Sequence, residues 1–337
     1  MELLVLGGTH HVGRAVVESA VARGFVVTTL TRGLSGRSAP GTKALHGDRT
    51  DIASLQTALG SRSWDAVIDT WSGAPRHVLE AATILAGRVG HYGYVSSRSV
   101  YSWPIPVGAD ETAPVVDGDP MSLDSSDYAT AKRGGEIAVR DIFGDRALVA
   151  RPGLILGPYE QIGRLPWWLR RMERGGRVLA PGPPERPLQY IDGRDLADWM
   201  ISAAEERLGG MFNTMSQPGF LTMRELLEGV REVSGSRAEL VWASPQMVEQ
   251  AGIEAWTELP IWLPPDGEAA GLHAGDVTAA FEHGLRCRPF AATAADTWRW
   301  LQAEGDPKAL SEGSVGLATA KEEQALDSFG ICETKEW

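Results

Sequence analysis

The chain opens with a strand pattern, a glycine turn and a helix, in the stretch "LLVLGGTHHVGRAVVESAVARG" at residues 3–24. The same change from an apolar run to a helical pattern recurs further along. The apolar runs are residues 2–6, 25–30, 65–69, 91–95 and 146–150, and the helical patterns are residues 12–23, 51–58, 76–86 and 127–140. Such alternation is typical of right-handed βαβ crossovers in a parallel sheet that helices cover on both faces. The sequence therefore predicts an α/β fold with a doubly wound parallel sheet.

The pattern changes after Gly157, where proline and tryptophan become frequent and the strand alternation ends. Helical patterns remain at residues 222–233 and 292–303. We predict a Rossmann domain at residues 1–157, to which residues 189–215 return, and a smaller, discontinuous substrate-binding domain at residues 158–188 and 216–304. Residues 305–337 are predicted to be a linker and one terminal helix, "LATAKEEQALDSF".

Composition excludes several functional classes. The 337 residues, 43% of them hydrophobic, suffice for one large or two modest domains. A formal charge of −12 repels nucleic-acid phosphates and anionic lipid surfaces. No signal-peptide pattern and no apolar run near the roughly 20 residues of a membrane span occur, so we expect a cytoplasmic protein. Cys287 and Cys332 lie far apart, which excludes a disulfide framework and a thiolate zinc site.

The opening turn has the spacing of a dinucleotide site. Gly7 allows a sharp bend after the strand, and Gly13 allows the helix to pack close to it. The N–H groups and positive dipole at the helix start would then face a pyrophosphate. His10 and His11 replace small residues at the centre, so a purely structural turn is the alternative, with His10 either facing the phosphates or capping the turn. Adjacent histidines without an HxH or HxxxH partner exclude a metal site.

Charge after the second strand bears on which dinucleotide binds. NAD sites usually carry an acid there for the ribose 2′-hydroxyl, whereas a 2′-phosphate requires arginine. No acid lies between Glu18 and Asp48, and that interval contains Arg23, Arg32, Arg37 and Lys43. We therefore predict NADP(H) rather than NAD(H), with Arg32 as the first candidate and Arg37 as the second. A solvated basic loop is the alternative reading.

A second motif carries chemistry. Tyr128 and Lys132 in "DYATAKRGGE" are four residues apart, which places both side chains on one face of a helix. A nearby ammonium lowers the pKa of a phenol and makes it a usable proton donor and acceptor. The motif follows the serine cluster "VSSRSVY" of the fourth parallel strand, so the two meet above the carboxyl edge of the sheet.

Together these motifs resemble the extended short-chain dehydrogenase/reductases of the NAD-dependent epimerase/dehydratase type. The resemblance covers residues 1 to about 305 and rests on the glycine turn, "GDRTD", "VSSRSVY", "YATAK", "RPGLILGP" and "YIDGRDLA". The turn "GGTHHVG" looks most like a branch with GGTRF-type turns, which includes bacterial reductase-like proteins and chloroplast stem-loop RNA-binding relatives.

The resemblance implies a Ser-Tyr-Lys site. Ser97 would bond the substrate oxygen, Tyr128 would act as general acid/base, and Lys132 would bind the nicotinamide ribose and tune Tyr128, with Ser96 and Ser99 as alternatives to Ser97. The expected cofactor contacts are Gly7, Thr9, His10, His11, Val12, Gly13, Arg32, Arg37, Asp48, Arg49, Thr70, Lys132 and Pro152. The expected substrate pocket comprises Trp71, Ser97, Ser99, Trp103, Trp167 and Trp168, although core packing also explains any one tryptophan.

Two departures from the family pattern affect this interpretation. His10 stands in place of the central glycine, and Leu188 stands where sugar-nucleotide epimerases carry an arginine, with Arg186 two residues too early. The sequence thus predicts an NADP(H)-dependent reductase or dehydrogenase of a small, partly apolar or aromatic carbonyl or alcohol. The alternatives are an epimerase or dehydratase that holds its nucleotide tightly, and a non-catalytic NADP- or RNA-binding relative, for which "RRMERGGR" at 170–177 is the candidate basic patch. A homodimer through the 76–86 and 127–140 regions is also expected.

Overall fold

The structure is a computed structural model that describes residues 1–34, 39–266 and 268–329. Its elements up to the sixth strand are β1 (Glu2–Leu6), α1 (His11–Ala22), β2 (Val26–Thr31), β3 (Lys43–His46), α2 (Ile52–Leu59), β4 (Trp64–Asp69), α3 (Arg76–Leu85), β5 (Val89–Val95), α4 (Tyr128–Phe143) and β6 (Ala147–Pro152). The elements that follow are β7 (Leu154–Leu156), α5 (Arg164–Glu173), β8 (Arg177–Pro181), β9 (Pro187–Leu188), β10 (Tyr190–Asp192), α6 (Gly193–Glu206), β11 (Gly210–Thr214), β12 (Leu221–Thr222), α7 (Met223–Val233), β13 (Glu239–Ala243), α8 (Pro245–Gln250), α9 (Thr278–Glu282), α10 (Phe290–Glu304), α11 (Lys308–Ser311) and α12 (Thr319–Phe329).

The chain divides into two compact units. The first unit comprises Met1–Ile155, Ile191–Ser216 and Gly275–Cys287, and the second comprises Leu156–Tyr190, Gln217–Ala274 and the chain from Arg288. The sequence pattern placed 275–287 in the second domain, whereas this division places it in the first unit. The substrate-binding role of the second unit stays a prediction.

The first unit is built on a seven-stranded sheet with the order β3-β2-β1-β4-β5-β6-β11. Every neighbouring pair in this sheet is parallel. The predicted α/β fold with a doubly wound parallel sheet is therefore confirmed. The strands β3 and β11 were not predicted, because one is a short, mostly exposed edge strand and the other mixes polar and apolar residues.

Alternating side chains of the central strand β1 serve two separate cores. Leu3 and Val5 pack with residues of α1 and α6, whereas Leu4 and Leu6 pack with residues of α2, α3 and α4. Both faces of the parallel sheet are thus covered, and β1 is apolar from Leu3 to Leu6 for this reason. This arrangement leaves the carboxyl ends of the strands as the edge where a ligand binds in an open α/β fold.

The second unit has two small sheets, with β8 and β13 parallel and β9 and β12 antiparallel. Its helix α7 starts with a capping box, in which the side chains of Thr222 and Glu225 bond each other's backbone N–H groups. Leu226, Leu227 and Val230 of this helix are buried within the unit.

Candidate active site

The turn after β1 depends on glycine for two separate reasons. Gly7 and Gly8 have φ values of +124° and +113°, which side chains other than hydrogen rarely allow. A Cβ on Gly13 would lie 2.8 Å from the backbone nitrogen of Gly8, so helix α1 packs directly on the turn. Thr70, which follows β4, closes the same region and donates to the Leu6 carbonyl at 3.1 Å.

The start of α1 suits an anionic group. His10 is the N-cap residue, but its side chain makes no capping hydrogen bond, and the first helical turn contains no acidic residue. The imidazole of His10 is exposed, so it does not fill the turn. His11 instead packs its ring 3.4 Å from where a Cβ on Gly193 would lie. Backbone N–H groups without a side-chain cap, at the positive end of a helix, fit a pyrophosphate.

The charged residues after β2 and β3 take different positions. Arg32 is exposed, and Arg37 lies outside the described residues. The Asp48 carboxylate accepts hydrogen bonds from the Thr50 hydroxyl at 2.7 Å and the Thr50 N–H at 2.9 Å. These bonds lower the pKa of Asp48, and the charge of Arg32 adds to the effect. The fold therefore brings an acid into electrostatic range of Arg32.

Arg49 is buried and paired internally. Its guanidinium donates to both carboxylate oxygens of Asp69, at 2.5 and 2.7 Å, and to the His77 carbonyl at 3.1 Å. Asp69 also accepts from the Tyr92 hydroxyl at 2.7 Å. Burial alone would raise the pKa of Asp69, but Arg49 and the other donors outweigh burial and lower it. Arg49 thus belongs to a buried network, and we leave it out of the proposed cofactor contacts.

The serine cluster follows β5. Ser96 is buried, and its hydroxyl donates a hydrogen bond to the Glu136 carboxylate at 2.7 Å. Ser97 starts a short 3-10 turn, where its oxygen accepts from the Ser99 N–H at 3.1 Å and lies 3.1 Å from the Ser99 hydroxyl. Ser97 and Ser99 are both half-buried. Of the three serines, these two keep surface that a ligand can reach.

Helix α4 presents the tyrosine and the lysine differently. Asp127 caps its start by accepting from the Thr130 N–H at 3.0 Å, and Tyr128 is the first helical residue. The Tyr128 side chain is 46% exposed, whereas Lys132 is buried. A Cβ on Gly135 would clash with the Tyr94 hydroxyl, so the glycine lets α4 lie against β5. This close packing directs Lys132 inward while Tyr128 stays open to solvent.

The Lys132 amine is held at the carboxyl edge of the sheet. It donates to the Val95 carbonyl at the end of β5, at 2.7 Å, and to the Trp71 carbonyl just after β4, at 2.5 Å. It lies 5.9 Å from the centre of the Tyr128 ring. Burial lowers the pKa of Lys132 to about 7. A titratable amine therefore lies beside a partly exposed phenol and bonds the carbonyl of Val95, two residues before Ser97 along the chain.

A family model matches most of this chain. Residues 3–214 match the model of the NAD dependent epimerase/dehydratase family, which is more than half of the chain. The chain belongs to this family. The predicted resemblance to extended short-chain dehydrogenase/reductases is thus confirmed, and so is the prediction that the chain is an enzyme of this type.

Individual relatives of this family member are distant. The chain is 22% identical over 264 residues to the chloroplast stem-loop binding protein of 41 kDa b of Arabidopsis thaliana. That match covers 73% of this chain and 66% of the relative, slightly under two thirds of its length. The solved structures of the Bordetella bronchiseptica enzyme WbmH with NAD+ and of the Thermotoga maritima UDP-glucose 4-epimerase with UDP-glucose are each 17% identical. Both matches cover 90% of this chain and 99% of the other, with TM-scores of 0.66 and 0.64, and they show the shared fold.

The predicted tryptophans of this family member differ in burial. Trp71 is half-buried, and its indole N–H donates to the Ala74 carbonyl at 2.9 Å, while Trp103 is 49% exposed. In the second unit, Trp167 and Trp168 are buried, and the Trp168 N–H donates to the Pro260 carbonyl at 2.8 Å. Because these two rings pack the interior of that unit, we leave them out of the proposed pocket. Val12 and Pro152 are also buried.

Sequence reasoning missed two acids near Lys132. Asp69 ends β4, and Glu136 follows Lys132 by four residues on the same helix face. Glu136 forms a buried bidentate pair with Arg151, with both contacts at 2.8 Å. The spacing from Lys132 to Glu136 was a visible signal, whereas the partner of Asp69 lies in a distant segment of the sequence.

The basic segment 170–177 is engaged within the second unit. Arg171 is buried and pairs with Glu322 of α12 at 2.6 Å, and Arg170 pairs with Asp306 at 2.6 Å. Arg174 and Arg177 also bond the terminal segment, at the Thr319 hydroxyl and the Leu326 carbonyl. The terminal segment therefore bonds all four arginines of this patch and buries Arg171.

None of the described helices has the length and apolar character that a membrane span requires. No group of three or more histidine, cysteine, aspartate or glutamate side chains in the described part of the chain is arranged to hold a metal ion.

Proposed function

We propose that this protein is an NADP(H)-dependent reductase or dehydrogenase of a small carbonyl or alcohol substrate, acting through Ser97, Tyr128 and Lys132. One observation carries the proposal. The Lys132 amine is held by the main-chain carbonyls of Trp71 and Val95, beside the Tyr128 ring and at the carboxyl ends of β4 and β5. An open α/β fold binds its ligand at this edge.

Each group has a separate role in this proposal. Gly7, Gly13 and the start of α1 hold the pyrophosphate of the nucleotide, which supplies or accepts the hydride when bound. Ser97 donates a hydrogen bond to the substrate oxygen, and Tyr128 passes a proton to or from it. The Lys132 ammonium stabilises the phenolate form of Tyr128.

The preference for NADP(H) rests on Arg32. This arginine is exposed just after β2, and it forms no ion pair with the residues that the structure describes. A guanidinium binds a 2′-phosphate through charge-assisted hydrogen bonds. Asp48 opposes this preference, because its carboxylate lies in electrostatic range of Arg32 and would repel a 2′-phosphate bound there.

An epimerase that holds its nucleotide tightly is a second candidate. The family description and the named epimerases among the structural neighbours favour it. Leu188 weakens the case for a sugar nucleotide, because a buried leucine side chain cannot bind a diphosphate. Arg186 lies two residues earlier in the sequence and is half-buried. Nucleotide that copurifies with the protein, together with turnover that consumes no NADPH, would favour the epimerase.

RNA binding is a third candidate, favoured by the name of the Arabidopsis relative. The charge of −12 and the engagement of Arg170, Arg171 and Arg177 by the terminal segment weigh against it. RNA binding that disappears at moderate salt, without bound nucleotide, would support this candidate instead.

Tyr128→Phe tests the proposed role of the phenol. We expect turnover to fall by at least about 100-fold, because the substitution removes only the proton-transferring hydroxyl. NADPH affinity, measured by fluorescence titration, should stay within about twofold because the nucleotide groups are untouched. A variant that keeps most of its activity would overturn the assignment of Tyr128.

We also propose that the protein is a homodimer formed through α3 and α4. Sedimentation equilibrium of the purified protein measures this directly, and a monomer at micromolar concentration would contradict it.

A further inference from the structure

We propose that the buried pair of Arg49 and Asp69 is a positioning device for Lys132, which sets both the place and the charge of its amine. The inference deepens the proposed function and rests on it only for the use to which the amine is put. Arg49 and Asp69 position the amine through the segment that starts at Asp69.

The first step concerns the place of the amine. One of the two carbonyls that bind it belongs to Trp71. The backbone N–H of Trp71 donates to Asp69 Oδ1 at 2.9 Å, and its ring lies 4.8 Å from the Arg49 guanidinium. Arg49 also holds the His77 carbonyl at 3.1 Å. The ion pair therefore fastens both ends of the 71–77 segment and, through it, the carbonyl that receives Lys132.

The second step concerns charge. Among the described residues, five titratable or charged groups lie near the Lys132 amine or act on it electrostatically. They are Asp69 at the end of β4, Arg49 after β3, Glu136 and Tyr128 on α4, and Tyr94 on β5. Burial lowers the pKa of Lys132, and the positive charge of Arg49 lowers it further. The negative charges of Asp69 and Glu136 raise it. The two members of the ion pair thus act on the amine with opposite signs.

Opposite signs separate this role from simple structural support. If the pair only held the fold together, removing either partner would damage the site in the same way. If it sets the charge of Lys132, Asp69→Asn and Arg49→Gln must move the titration of the amine in opposite directions. Tyr92 and the Trp71 N–H remain to hold the Asp69 carboxylate in the second variant.

The titration can be measured without substrate. The chain has five lysines, Lys43, Lys132, Lys308, Lys321 and Lys335. Protein labelled with carbon-13 at the lysine ε-carbon therefore gives few signals, and Lys132→Arg identifies the one of interest. We expect its midpoint to fall by about 1 pH unit or more in Asp69→Asn and to rise in Arg49→Gln. Arg49→Lys, which keeps the charge, should restore the wild-type midpoint.

Controls keep the result interpretable if a variant is unstable. Glu322→Gln breaks a buried ion pair of the second unit and should leave the Lys132 midpoint unchanged. The double variant Asp69→Asn/Arg49→Gln avoids a lone buried charge, and its midpoint should fall between those of the single variants. Shifts in the same direction in both single variants, or no shift in either, would overturn the inference.

The rate profile separates this inference from the proposed function. If both hold, the pH dependence of turnover moves with the Lys132 midpoint in each variant. An active Tyr128→Phe protein would remove the proposed function while opposite shifts of the midpoint would still support the positioning role.

Discussion

The two units bury ion pairs of the same kind for different ends. In the first unit, the Arg49–Asp69 pair borders Lys132, and its members lie within range of the titrating amine. In the second unit, Arg171 and Glu322 join α5 to the C-terminal helix, and Glu322 also accepts from the Leu179 N–H at 3.1 Å. Removing one partner of a buried pair leaves the other charge buried and uncompensated. Each pair therefore holds together the two segments that carry it. What differs is whether a titratable group lies beside it.

Among the described residues, each unit also buries a group whose pKa is shifted to near neutrality. Burial lowers the pKa of Lys132 in the first unit to about 7 and raises the pKa of Glu160 in the second unit to about 7. Glu160 accepts from the backbone N–H groups of Arg164 and Leu165, at 2.8 and 3.3 Å, at the start of α5. The same physical cause, the loss of water around a charge, therefore moves a base and an acid in opposite directions.

The largest expected effect is on the pair of the second unit. Glu322→Ala leaves the Arg171 guanidinium buried without its carboxylate, and we expect a loss of about 3–5 kcal/mol in the free energy of unfolding. Urea denaturation measures this loss. NADPH affinity should stay unchanged, because the Arg171–Glu322 pair stabilises the second unit and is not among the proposed nucleotide contacts.

Asp327→Ala is the matched control on the same helix. Its carboxylate is 81% exposed and pairs with a partly exposed Arg177, so we expect a loss below about 0.5 kcal/mol. Equal losses in Glu322→Ala and Asp327→Ala would contradict the special role of the buried pair.

The next effect is a pH dependence with opposite signs in the two units. The pKa of Lys132 is about 7 in the folded protein and about 10.4 in an unfolded chain. Between these values the unfolded chain binds a proton that the folded protein lacks, so stability rises with pH by up to about 1.4 kcal/mol per unit. Glu160 contributes the reverse. Its pKa is about 7 in the folded protein and about 4.3 unfolded, so stability falls as pH rises through that window.

Lys132→Met and Glu160→Gln separate these two contributions. The free energy of unfolding is measured at pH 5, 7 and 9. In Lys132→Met, the increase in stability from pH 7 to pH 9 should be absent. In Glu160→Gln, the decrease in stability from pH 5 to pH 7 should be absent. Wild-type pH dependence in either variant would show that the group concerned does not titrate as its burial implies.

The smallest effect distinguishes an exposed arginine of the first unit from an engaged one of the second. Arg32→Ala should weaken NADPH binding about tenfold, because one or two charge-assisted hydrogen bonds to the 2′-phosphate are lost, and leave NADH binding unchanged. Arg177→Ala is the control and should change neither affinity. Equal loss for both nucleotides, or none, would remove Arg32 from the proposed site.

Local sequence signals were sufficient where neighbours along the chain decide the outcome. The apolar runs and helical spacings predicted the parallel sheet, and the Tyr128–Lys132 spacing placed both residues on α4. The two unpredicted strands of the seven-stranded sheet lie at its edges, where a short and partly polar segment is stabilised by pairing with one neighbour rather than by its own pattern. Trp167 and Trp168 could not be assigned from the sequence, because an aromatic residue gives the same sequence signal whether it lines a pocket or packs in a core.

By itself, then, the sequence determined the alternation of strands and helices in the first 150 residues, the glycine turn and the residue types available for chemistry, because these depend on backbone conformation and on side-chain periodicity. Only the tertiary structure decided which charges meet. It buried Arg49 against Asp69, brought Asp48 into range of Arg32 and seated the C-terminal helix on Arg171. Electrostatic interactions act through space, and burial sets their strength, so no count of charges along the chain could assign these partners.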